Sequence, residues 1–144
     1  MDSKEEEEPT QELGRVWTRV KICFRWWRAF VWALPTTNGF ADKVELLDHF
    51  ARHAGDFGAT SEAEYEMLAD RFLGRSLAAG VLECKRSGGD IIRFDQTTDE
   101  YGVLSQERII RTYFKPIPRV LTGGRKGHRH ATNLAYFHAE CLRL

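Results

Sequence analysis

His49 and His53 stand four residues apart in the run His49-Phe50-Ala51-Arg52-His53, which continues through Ala54, Gly55, Asp56 and Phe57 to Gly58. On a helix that spacing puts both imidazoles on one face. An imidazole titrates near neutral pH, so one held beside a guanidinium can move protons next to a phosphate. The helix C-terminus favours protonated His53, whereas the neighbouring Arg52 disfavours it. Metal-free RNA cleavage needs such a group, because the ribose 2′-hydroxyl must lose a proton and the leaving 5′-oxygen must gain one. It also needs cations around the phosphorus, a role open to Arg52, Arg111 and Lys115. A zinc site is the rival chemistry, with Asp56 or His128 completing the ligands. However, Phe50 stands where a helical zinc protease carries its glutamate, and no second cluster has metal spacing. No metal or cofactor is expected. Spacing alone favours a plainer reading, two surface histidines on an amphipathic helix.

A second constellation lies in Ile109–Lys115. Strict alternation would put Arg111, Tyr113 and Lys115 on one face and Ile110, Thr112 and Phe114 on the other. Cations interleaved with an aromatic suit a phosphate-and-base surface, and one wet face opposite one core face suits any antiparallel strand. The loop Gly123–His130 adds Arg125, Lys126 and Arg129 with His128 and His130. It can contact phosphates, yet it lacks the Ser/Thr and preceding strand of a phosphate-cradling loop. Arg86, Asp90 and Arg93 read as surface pairs of little energetic weight.

The elements that must position these groups follow from periodicity. Lys43–Ala54 reads as a helix, bracketed by Gly55 and Gly58. A capping box at Ser61 and Glu64 opens a second helix with the stripe Tyr65, Leu68, Ala69, Phe72 and Leu73, stopped by Gly74. Strands are expected at Gly80–Lys85, Ile91–Asp95, Tyr101–Ser105 and Ile109–Lys115, with a turn at Ser87–Asp90 and prolines ending the last strand. Asn133 should cap a final helix through Leu142. The expected architecture is α+β: two N-terminal helices on a four-stranded antiparallel meander, with a closing C-terminal helix.

The 144 residues suit one domain, residues 38–144, behind a leader of residues 1–37. The formal charge is +0 overall, yet residues 1–12 carry six acids against Lys4, so the remainder is basic. That balance is compatible with an anionic partner and argues against wholesale coating of nucleic acid. Residues 15–34 hold every tryptophan and form a basic amphipathic pattern. It suits a membrane surface, a partner, an apolar patch of the domain, or an over-extended reading frame. The run Phe30–Leu34 is too short to span a bilayer, and the acidic start is unlike a secretory signal. Cys23, Cys84 and Cys141 are odd in number and widely spaced, which reads as reduced thiols in a cytoplasmic protein.

The order His53-Ala54-Gly55-Asp56-Phe57-Gly58, a helix, a meander and a strand ending Arg111-Thr112-Tyr113-Phe114-Lys115-Pro116 resembles the colicin D nuclease domain and the wider barnase/EndoU/colicin/RelE-like group. The likeness covers roughly residues 43–116. It implies a toxin-type ribonuclease acting on tRNA, with a cognate immunity protein as partner. By position it makes His53 the general acid/base. Thr112 then stands for a serine, Phe114 for a tryptophan and Lys115 for a lysine, with Arg52 in the catalytic group. The residue patterns themselves, apart from the likeness, offer His49, Arg111, Tyr113, Phe114, Arg125 and Lys126 as RNA-binding candidates; His49 has no counterpart in the family, and Arg125 and Lys126 lie outside the matched stretch. The chain departs from the pattern where Phe50 and Arg52 replace lysines and where Phe114 lacks the indole N–H.

Overall fold

A computed structural model describes residues 34–144, and its compact unit begins at Pro35. The acidic leader and the basic aromatic segment, up to residue 33, lie outside the described residues. Helix α1 spans Lys43–Phe57 and opens at Asp42, whose carboxylate accepts from the Glu45 N–H at 2.8 Å. It does not stop at Ala54. Gly55 stays helical, and the chain turns at Gly58, whose φ of 66° suits a residue without a β-carbon. Helix α2, Glu62–Gly74, is capped by Ser61, which accepts from the Glu64 N–H at 3.2 Å. The reciprocal half of the box lands one residue early: the Glu64 carboxylate accepts from the Thr60 N–H at 2.8 Å and its hydroxyl at 2.9 Å.

Strands β1 (Val81–Lys85), β2 (Ile91–Asp95), β3 (Tyr101–Leu104) and β4 (Ile110–Phe114) form an antiparallel meander in sequence order. Helix α3, Asn133–Cys141, closes the chain. The architecture is thus the expected α+β arrangement. The cap of α3 is Thr132 rather than Asn133, because its hydroxyl accepts from the Ala135 N–H at 3.1 Å. Asn133 instead donates to Asp99 at 2.8 Å.

The pleat gives the sheet two buried faces. Leu104, Ile110 and Tyr113 join Phe40, Ala54, Tyr65 and Leu73 under α1 and α2. Ile92, Phe94, Tyr101 and Val103 pack with Phe137 of α3. Three tyrosines are among the largest fully buried side chains, and such hydroxyls need partners. Tyr65 donates to the Tyr113 carbonyl, and the Tyr113 hydroxyl donates to Glu100 at 2.9 Å.

Three expectations are corrected. The hairpin arginines are not weak surface pairs: Arg93, 11% exposed, binds Glu83 and donates to the Phe72 and Arg75 carbonyls at the end of α2. Arg86 ties the hairpin to α3 through the Glu140 carboxylate and carbonyl. Asp90 receives Arg111 at 3.0 Å. The cysteines are not all reduced, since Cys84 on β1 and Cys141 on α3 form a disulfide. That removes the thiol argument for the cytoplasm, because such bonds persist in oxidising surroundings. Finally, alternation fails in β4. Val103 faces Thr112 while Leu104 faces Ile110, so Arg111 is bulged out of the register. Tyr113 pairs with Gly102 toward α2, and Thr112 and Phe114 share the opposite face with Val103 and Tyr101. Ile110 crosses to the Tyr113 face.

The segment before α1 is stitched to the β4 edge. Phe40 bridges Ile110 in parallel, the Asn38 N–H donates to Arg108 at 2.8 Å, and the Ile110 N–H donates to Gly39 at 2.8 Å. Below it, Thr36 packs so closely on Gly74 that a β-carbon there would meet its hydroxyl oxygen at 2.0 Å. Among the described residues no helix is long and apolar enough to cross a membrane.

Candidate active site

Helix α1 packs against β4, the last strand of the sheet. The geometry at that edge follows from helical continuation past Gly55: Asp56 then lies three residues after His53 on the same side. The His53 Nδ1 faces the Asp56 carboxylate at 3.5 Å. The His53 ring lies 5.3 Å from Phe114 and 6.0 Å from His49. Beyond Asp56, Phe57 stacks on Tyr113 with centroids 4.1 Å apart. The Lys115 ammonium sits over the Phe57 ring at 5.5 Å. Asp56, Phe57, Tyr113 and Lys115 line one hollow of about 440 Å³ between α1, α2 and the sheet.

Burial, first of all, holds His53 below the usual histidine range; Asp56 opposes the shift and Arg52 adds to it. Its imidazole is therefore mostly neutral at pH 7, the form that accepts a proton. A carboxylate facing Nδ1 favours the proton there and leaves Nε2 as the acceptor. His49 is lowered as well, by burial and then by Arg52 and His53, and its buried Nδ1 has no hydrogen-bond partner. Its ring lies 5.2 Å from Phe40. Replacing Asp56 by asparagine removes the opposing influence, so the His53 pKa should fall further. An NMR titration of the His53 ring checks this, and an unchanged midpoint would show that Asp56 does not act on it.

The other predicted site residues are dispersed. Arg52 pairs with Asp48 one turn back, and Arg111 pairs with Asp90. Thr112 lies on the sheet face opposite Tyr113, away from the hollow. Tyr113 is buried, so it supplies a floor rather than an open stacking surface. Phe114 sits between His53 and Tyr101, the latter 5.3 Å away. Arg125 and Lys126 are exposed on a loop folded on itself through Thr122 and fastened to residues 117–119 through His128. The rings of His128 and Tyr136 stack at 4.5 Å. Among the described residues, no group of three His, Cys, Asp or Glu side chains is placed to hold a metal ion.

Sequence reasoning missed the pairing of Asp56 with His53, and with it Arg71 and Glu100, which also line the hollow. The Asp56 signal was present at helical spacing, but treating Gly55 as a stop hid it. Arg71 and Glu100 carried none, since only tertiary packing brings α2 and the start of β3 together. No protein-family model matches the chain, and no curated protein matches its sequence.

Proposed function

We propose that the domain is a metal-independent ribonuclease of colicin D type, directed at tRNA, with His53 as acid and base. One observation carries this reading: Asp56, whose carboxylate faces His53, lines the same hollow as Lys115. His53 Nε2 takes the 2′-hydroxyl proton as that oxygen attacks phosphorus. The P–O5′ bond then breaks, and the imidazolium returns the proton to the leaving oxygen, giving a 2′,3′-cyclic phosphate. Lys115 stabilises the charge gathering on the phosphoryl oxygens. An RNA target puts the site of action in the cytoplasm, and a cognate immunity protein would be the natural inhibitor of this surface.

The test is incubation of purified protein with tRNA in EDTA. The expected result is cleavage to cyclic-phosphate ends, slowed about 10²- to 10⁴-fold in His53→Ala. Intact tRNA with the wild-type protein sinks the proposal. A second reading, a non-catalytic RNA-binding or protein-binding domain of this fold, is favoured by the engagement of Arg52 and Arg111 with carboxylates. Binding that survives His53→Ala but weakens steeply with salt would select it.

A further inference from the structure

The hollow lined by Asp56 and Lys115 holds more chemistry than one lysine. Its charged lining residues are Arg71, Arg93 and Lys115 against Asp56, Asp95 and Glu100. Most are engaged. Arg93 binds Glu83 and the α2 carbonyls. Asp56 faces His53, and Asp95 accepts from the Thr97 N–H at 2.7 Å. Glu100 accepts from the Tyr113 hydroxyl through Oε2. Arg71 and Lys115 form no ion pair with a carboxylate among the described residues. Arg71 lines the hollow together with Tyr113, its floor. Phe57 and Phe72 supply apolar walls, and the volume falls within the range of small-molecule sites, about 300–1,000 Å³.

Two cations without carboxylate partners, aromatic walls and a carboxylate with Oε1 left to accept match one ligand chemistry. A phosphate fits the cations, Arg71 offering a planar fork and Lys115 a point charge. A flat heterocycle fits the walls, and its N–H edge fits Glu100. We infer that the hollow is a nucleotide subsite, with Arg71 and Lys115 on a phosphate and Glu100 on the base edge. The subsite rests on the ribonuclease reading for its place in an RNA chain, where it would hold a nucleotide next to the scissile bond. Arg71 and Glu100 take no part in the proposed proton transfers.

Calorimetric titration of the full chain with guanosine 5′-monophosphate, whose base carries N–H donors, separates the two ideas. Saturable binding is expected, tighter than that of inorganic phosphate or guanosine alone. Arg71→Gln and Lys115→Gln should each weaken it about tenfold. His53→Ala should bind like the wild type. Glu100→Gln, which still accepts from Tyr113, should narrow the gap between the nucleotide and phosphate. Nucleotide binding with intact tRNA would end the ribonuclease reading and leave the subsite standing. Failure to bind the nucleotide, or binding indifferent to Arg71→Gln, would overturn the subsite even if tRNA is cut.

Discussion

Replacing Cys84 and Cys141 together by serine is expected to lower the unfolding free energy by about 4 kcal/mol. The residues are 57 apart in sequence, and closing a loop of that length removes about this much chain entropy from the unfolded state. The effect should concentrate on α3, a helix of nine residues with Phe137 as its one buried side chain. Besides Phe137, α3 is held by Arg86 on Glu140 and by ring contacts of Tyr136. Without the disulfide it should detach first, releasing the basic loop that precedes it. Urea unfolding of the oxidised and serine proteins checks the magnitude, and amide exchange across 133–141 checks the order. Equal unfolding midpoints would mean that the bond adds no constraint.

Replacing Asp70 by alanine should cost about 3 kcal/mol. Its carboxylate accepts from the N–H groups of Thr36 and Thr37 at 2.8 and 2.6 Å, and from both threonine hydroxyls. It is 8% exposed, so removing it strands buried donors. Burial alone would raise its pKa, but the hydrogen bonds from Thr37 and Thr36 outweigh that, and the net shift is downward from 3.8. The native state therefore holds this proton less tightly than the unfolded chain. The resulting stability is fully present above about pH 4 and drains away as the pH falls through the lower folded value. Asp70→Ala should flatten that acid limb as well as lower the plateau. An unchanged acid limb would assign acid sensitivity to other groups. Any truncation meant to remove the leader should stop before Pro35, because cutting to residue 37 deletes the donors that Asp70 binds.

Local periodicity made the architecture legible. The stripe Tyr65–Leu73, the turn at Ser87–Asp90 and the alternation in β2 each specify one element, and together they leave little choice of fold class. The site was legible only in part. His53 and Lys115 stood out by residue type; Lys115 lines the hollow, and His53 is tied to it through Asp56. The β4 bulge was hidden, because alternation is what sequence shows and a bulge is set by what β3 offers opposite. Ion pairing of Arg52 and Arg111 was hidden for the same reason: a cation in a sequence carries no mark of the carboxylate that will meet it. The disulfide depended on β1 and α3 coming together across the sheet, a contact that cysteine spacing does not encode.

The bulge at Arg111 amounts to a phase error written into the strand. Upstream of it Ile110 lies in phase with Tyr113; downstream, Thr112 and Phe114 keep the opposite parity. Pairing the same residues in strict alternation, without the bulge, would force a choice. Either Ile110 leaves the core under α2, or everything beyond it inverts and carries Lys115 from the hollow to the α3 side. The extra residue thus lets one short strand serve a hydrophobic core at its start and a charged cavity at its end.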